Sequence, residues 1–338
     1  MYINKIKNKG LSVKHLAFIL SGIFAFFATF LYYPISLVLS GQWKLNQQIE
    51  LFSIDNVTLF GLDLQFGVVS IRFYSICIVI GMLTGYSLVL FLAKKHNIAG
   101  TIIDRLFIGL VVIGLIGARL FYVIFNWEVF AGTPLNIVTE ITRGGLAVFG
   151  TIISSIIYIW IYCKRFKFNF FEFLDIVSPG LLLGQIIGRF GNFFNYEAYG
   201  GPTSVFWKMY VPQTANVYQD INEKYFHPTF LYEIIPNTLL FLIILFSYQK
   251  LTSKRSGLVF AVYAIGYGFI RFITEFFRLD ALTIPIPKFL VMNIGFIHLE
   301  QILVSQVTAL ILCVIGIIIF FIRRKVIYLA NSLGEINI

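Results

Sequence analysis

Charge is scarce in this sequence. Asp, Glu, Lys and Arg make up 12% of its 338 residues, about half the share of an ordinary soluble domain. That excludes a chain kept in water by a polar shell. Cysteine is scarcer still: Cys77, Cys163 and Cys313 lie far apart, each in an apolar run. Such spacing gives no disulfide framework and no metal motif. The four histidines, His15, His96, His227 and His298, are scattered as well and lend a metal site little support. No tandem repeat, low-complexity tract or Pro-rich linker marks a second globular unit.

What the chain has instead is apolar mass. Hydrophobic residues make up 58%, with 37 Phe and 18 Tyr, more than one water-soluble core can hide, so lipid must cover many of them. Eight stretches are long enough to cross a hydrocarbon core, which takes about 20 helical residues. They fall near 15–39, 72–93, 106–125, 146–163, 173–193, 230–248, 257–277 and 301–322. The expected fold is all-α, a polytopic transmembrane helical bundle of about eight spans with an exterior head region.

The net charge of +10 would raise nucleic acid as a partner in a soluble protein. Here, sixteen of the 26 Lys and Arg sit in five short clusters beside apolar runs. These are Lys5, Lys7, Lys9 and Lys14; Lys94, Lys95 and Arg105; Lys164, Arg165 and Lys167; Lys250, Lys254 and Arg255; and Arg323, Arg324 and Lys325. They fall on alternate connections, which is the positive-inside pattern. Both termini are therefore expected in the cytoplasm, and no basic face remains for nucleic acid.

The first apolar run follows a basic start, as in a signal peptide. It is longer than a usual signal core and has no clear small-x-small cleavage site before Gln42. The division expected is therefore residues 1–40 as a cytoplasmic tail with a retained extra helix, and 41–338 as the main membrane unit. Its exterior loops fall near 40–71, 126–143, 195–229 and 278–300.

Ionisable residues inside spans are costly, and each is a functional candidate. Arg119, Arg189 and Arg271 qualify, each about 20 Å up from the cytoplasmic end of its helix at the α-helical rise. Arg143 and Arg278 stand at the outer ends of neighbouring spans, and Arg72 at the start of another. For these last three, snorkelling at the interface serves equally well. Glu275 lies inside the same zone, with Glu233 and Glu197 near its edges. Arg271, Glu275 and Arg278 share a helix face with Tyr267 one turn earlier, and Gln185, Arg189 and Asn192 share another. Counted this way, cations outnumber carboxylates, and the excess is expected to meet an anion. Arginine forks suit phosphate oxygens, which phospholipid headgroups supply at that depth. Gly188 and Gly191, flanking Arg189, leave room for a bulky headgroup.

Residues 188–200 read Gly-Arg-Phe-Gly-Asn-Phe-Phe-Asn-Tyr-Glu-Ala-Tyr-Gly. This resembles the signature of the prolipoprotein diacylglyceryl transferase family, G-R-x-G-N-F-x-N-x-E-x-x-G, at every fixed position. Three further segments agree in order: His227-Pro228-Thr229-Phe230-Leu231-Tyr232-Glu233, Gly266-Tyr267-Gly268 with Arg271, Glu275 and Arg278, and Ile71-Arg72-Phe73-Tyr74. Gly117-Ala118-Arg119 and Gln301 fit as well. The likeness spans about residues 65–325. One position departs: Phe149 stands where relatives often carry His or Tyr after Gly144-Gly145-Leu146, and a phenyl ring can neither take a proton nor donate a hydrogen bond.

The resemblance implies a bacterial cytoplasmic (inner) membrane enzyme with its active site toward the outer leaflet. It would move diacylglyceryl from phosphatidylglycerol to the lipobox cysteine thiol of a secreted prolipoprotein, leaving a thioether and glycerol-1-phosphate. Its partners would be that lipid and those precursor signal peptides, with no metal or soluble cofactor. Arg189, Arg271, Glu275 and His227 are the expected catalytic residues. Asn192, Asn195, Tyr267, Arg119, Arg143 and Arg278 are expected to join Arg189 and Arg271 in holding the lipid. Two rival readings are an anion transporter or channel, which would also use intramembrane Arg, and an inactive lipid-binding relative, suggested by Phe149. Against the transporter, the two halves show no inverted repeat.

Overall fold

The computed structural model describes residues 48–54, 57–59, 62–64, 67–131, 145–213, 224–254, 256–279, 283–285, 292–294, 297–299 and 301–332. Seven helices among them are long and apolar enough to cross a membrane. They are α1 (Phe73–Lys95), α2 (Gly100–Phe125), α3 (Val148–Phe166), α4 (Phe170–Phe194), α5 (Thr229–Lys254), α6 (Leu258–Glu275) and α7 (Val304–Ser332). Their apolar windows have mean hydropathies from 1.2 to 2.6. Large side chains such as Ile108, Ile124, Phe246 and Phe269 stand more than half exposed. On a soluble protein so much apolar surface would be an aggregation liability; on these helices it is the face that meets lipid. The chain is a multi-pass helical membrane protein. The expected eighth span, 15–39, lies outside the described residues.

Short β-ribbons occupy stretches read from the sequence as plain loops. Gln48–Ile54 pairs antiparallel with Gly67–Arg72, with a bulge at Glu50/Phe52. Smaller ladders join Val57–Leu59 to Leu62–Leu64, Met209–Tyr210 to Tyr225–Phe226, Thr283–Pro285 to Gln301–Leu303, and Met292–Ile294 to Ile297–Leu299. Gln301 thus sits in a strand just before α7. All these strands lie in segments flanking the same ends of the helices, before α1, between α4 and α5, and between α6 and α7. That end is called the loop end below. The other carries the basic clusters.

Close helix approach sets the core. A Cβ on Gly85 would lie 2.5 Å from the Gly180 carbonyl oxygen, and one on Gly81 2.8 Å from that of Gly184. Hence α1 and α4 run antiparallel, backbone against backbone, as small residues allow in membranes. At the basic end, Asn169 caps α4 by accepting from the backbone N–H groups of Phe171 and Glu172, leaving fewer orphan donors in its first turn. One turn on, the buried Asp175 carboxylate accepts from the backbone N–H of Gly257 and, at 2.8 Å, of Phe260. A side chain of α4 therefore caps the start of α6.

Candidate active site at the loop end of the bundle

Four charged side chains from three helices meet just inside the loop end. Arg189 lies five residues before the end of α4, Glu233 four residues into α5, and Arg271 four before the end of α6. Because α5 runs opposite to its two neighbours, these positions fall at one depth. Arg189 Nη2 is 2.7 Å from Glu233 Oε2, and Arg271 Nη1 is 2.5 Å from Glu233 Oε1. Arg271 Nη2 is 2.7 Å from Glu275 Oε2, one turn on along α6. Both glutamate side chains are only 1% exposed.

This corrects one expectation. Glu233, placed by the sequence at the edge of the charged zone, is its hub, and both arginines are already paired. A carboxylate near a helix start looks peripheral until the neighbouring helices bring arginines to the same height. The pairing leaves the group chemically competent. Each guanidinium carries five N–H donors, more than these carboxylate contacts use.

Tyr267, one turn below Arg271, hydrogen-bonds to Arg189 through its hydroxyl and stacks on Tyr263, ring centroids 5.7 Å apart. Tyr263 donates to Gln185 Oε1 at 3.2 Å. A polar layer therefore underlies the ion cluster. The expected set Arg189, Tyr267, Arg271 and Glu275 is brought together.

The signature loop folds back on itself. Asn195 Nδ2 donates to Glu197 Oε1 at 3.1 Å, Asn192 Nδ2 to Glu197 Oε2 at 3.4 Å, and the Glu197 N–H to the Asn192 carbonyl at 2.9 Å. Tyr196 and Ala198 take left-handed backbone, φ +53° and +52°, which allows so tight a return. Both asparagines thus spend amide hydrogens on Glu197. Gly191 faces the ring of Tyr74 on α1, 2.6 Å from where a Cβ would stand, whereas no atom lies within 4 Å of one on Gly188. The room expected at Gly191 is filled by Tyr74; at Gly188 it is real.

The other expected residues have different settings. Arg119 is buried on α2, its Nη1 3.1 Å from the Gly145 carbonyl and its guanidinium over the Tyr122 and Phe130 rings. Arg278 pairs its backbone with Gly200, tying the end of the signature to the end of α6. His227 Nδ1 lies 2.8 Å from the Tyr232 hydroxyl, which accepts from Trp207 Nε1 at 2.8 Å. Its hydrogen bond among the described residues thus runs to Tyr232 rather than to the ion cluster. Phe149 opens α3 beside Phe121, centroids 6.4 Å apart. Arg143 lies outside the described residues.

Residues missed from the sequence are Glu233 as hub and Tyr74. Both stood within quoted motifs, Leu-Tyr-Glu and Ile-Arg-Phe-Tyr, and a pairing of oppositely directed helix ends was the signal that would have found the first.

A family profile described as prolipoprotein diacylglyceryl transferase matches residues 62–322. The chain is similar to proteins named phosphatidylglycerol--prolipoprotein diacylglyceryl transferase in three organisms. It is 38% identical to that of Gloeobacter violaceus over 223 residues, 66% of this chain and 83% of the relative. For Thermosynechococcus vestitus the identity is 39% over 222 residues, covering 66% and 82%. For Prochlorococcus marinus it is 38% over 243 residues, covering 67% and 82%. The signature asparagines closed on Glu197, the arginine–glutamate cluster at the end of the same helix and a match over more than three-quarters of the sequence agree: this chain belongs to the prolipoprotein diacylglyceryl transferase family.

Proposed function

We propose that this protein transfers the diacylglyceryl group of phosphatidylglycerol to the lipobox cysteine of secreted prolipoproteins. The observation that carries the reading is the pair of part-buried arginines bridged by the buried Glu233 beside the signature loop. The cysteine sulfur attacks the glycerol carbon of the diacylglyceryl group and forms a C–S bond. The C–O bond to phosphate breaks, and glycerol-1-phosphate leaves with the bonding pair. Charge on the phosphate rises as it departs, so donors fixed in a low-dielectric site stabilise the transition state more than the ground state. Arg189 and Arg271 supply those donors, Glu233 and Glu275 hold them in place, and Tyr267 orients Arg189. Arg119 and Arg278 add positive field, and the carbonyl oxygens of Asn192 and Asn195 serve the glycerol hydroxyls.

A free thiol, with a pKa of about 8.5, is only a few per cent ionised near neutrality. With Phe149 unable to take its proton, the cationic field favours the thiolate, and His227 assists. In this reading the basic end faces the cytoplasm and the ion cluster lies toward the outer leaflet of the inner membrane, where precursors emerge.

The test is direct: purified protein, phosphatidylglycerol and a lipobox peptide, with the peptide's mass followed. A diacylglyceryl increment on cysteine is expected. No increment, with phosphatidylglycerol still bound, would leave the non-catalytic lipid-binding relative that Phe149 suggests.

A further inference from the structure

Beside the ion cluster a groove opens between α1, α2 and α4. Its volume is about 300 Å³ and its walls are almost wholly apolar. On α4 the lining runs from Gly188 to Val177, eleven residues or about 16 Å at helical rise. That is close to one leaflet of a hydrocarbon core about 30 Å thick. Gly188, the residue before Arg189, forms one end, and nothing lies within 4 Å of where its side chain would be. Met82 and Leu181 stand exposed on the rim, so the groove opens sideways toward lipid.

Toward the end away from Gly188, α1 and α2 are tied together across the groove. Tyr86 on α1 donates to Asp104 Oδ1 on α2 at 2.5 Å, and its ring packs on Phe107, centroids 4.6 Å apart. Ile103 and Leu106 fill in behind them, both buried.

The shape limits the occupant. A helix, 10–12 Å across, does not fit this volume, and an extended peptide would bring backbone polar groups into a slot unable to satisfy them. A single hydrocarbon chain has neither problem. Besides Tyr86, whose hydroxyl is spent on Asp104, Gln185 is the other polar residue in the lining. Its amide oxygen accepts from Tyr263, which turns its NH₂ the other way, at the depth where a glycerol ester carbonyl would sit below a phosphate on Arg189.

We propose that this groove holds one acyl chain of the diacylglyceryl donor, and that the Tyr86–Asp104 bridge with Phe107 is the stop that sets its length. This rests on the donor reading above. Among membrane lipids the driving force is fit rather than escape from water, since the bilayer is already apolar. An overlong chain must bend out over the rim and gives up dispersion contacts, so the selectivity between neighbouring lengths should be modest, roughly threefold.

The experiment has two arms. In the first, phosphatidylglycerol with a diazirine at the end of one acyl chain is photolysed on the intact protein, and labelled residues are found by mass spectrometry. Label at Tyr86, Phe107 or Ile103 is expected. Label confined to the lipid-facing sides of α5 and α7 overturns the proposal. In the second, transfer is measured with donors of graded chain length. Tyr86→Ala should move the preferred length upward, and Leu110→Trp, which narrows the groove, should move it downward. Two folded variants that keep the parent's length profile overturn the stop. Labelling in the groove without transfer to any peptide would instead count against the proposed reaction while supporting the groove.

Discussion

Glu233→Gln keeps the shape of the hub and removes its charge. The native carboxylate is 1% exposed and touches two guanidiniums, so the substitution leaves Arg271 with Glu275 alone and Arg189 with no carboxylate among the described residues. Deleting one partner of a buried ion pair costs about 3–5 kcal/mol. Glu275→Gln removes a carboxylate from Arg271 alone, which keeps Glu233; its cost should be nearer about 1–3 kcal/mol, that of an unsatisfied buried group. Thermal unfolding in detergent micelles, followed by tryptophan fluorescence, would rank the two. At roughly 1.4 °C per kcal/mol for a chain of 338 residues, Glu233→Gln should lower Tm by about 4–7 °C. Added phosphatidylglycerol should restore part of the loss, because its phosphate replaces the missing anion, and the restoration should exceed that of the parent protein. A Tm unchanged in Glu233→Gln, or a larger loss in Glu275→Gln, would refute the hub.

Arg189→Ala should reduce transfer about a hundredfold or more, as removal of preorganised charge stabilisers does elsewhere. Arg189→Lys should recover little, since it keeps the charge and loses the fork; single-turnover rates decide both. His227→Ala should retain measurable transfer with a rate rising toward alkaline pH as the thiolate fraction grows; a variant dead at every pH that still binds phosphatidylglycerol would make His227 the base. Gly85→Val should destabilise by about 1–3 kcal/mol through forced separation of α1 and α4, whereas Gly188→Ala, which meets nothing within 4 Å, should not lower Tm. A reporter at residue 210 should be found outside the cytoplasm; the opposite result would overturn the proposed access to precursors.

Helices were legible because their signal is one-dimensional. A run of about 20 apolar residues announces a span wherever it packs, and each of the seven described spans overlaps its predicted stretch. The ribbons were not legible: three-residue ladders such as Leu62–Leu64 carry too few positions for a period of two to stand out. In the site, Arg271 and Glu275 were readable together because both lie on one helix at i, i+4. Glu233 was not, because its partners come from two other helices and depend on their axial heights. Asn192 and Asn195 were found, but their amide hydrogens go to Glu197, a choice set by the left-handed turns at Tyr196 and Ala198 that composition does not announce.

The Asp175 cap has a consequence at the far side of the membrane. Helices α4 and α6 run in the same direction, and their lower ends are latched where Asp175 meets the Gly257 N–H. Fourteen residues separate Asp175 from Arg189, and fourteen separate Gly257 from Arg271. At helical rise each is a rod of about 21 Å. Two rods of equal length pinned at one level must finish at one level, so the latch acts as a spirit level for the two guanidiniums. Slippage of α6 by a single residue would raise or lower Arg271 by about 1.5 Å, enough to break the shared grip on Glu233. The height of the chemistry at one surface is thus fixed by a carboxylate near the other.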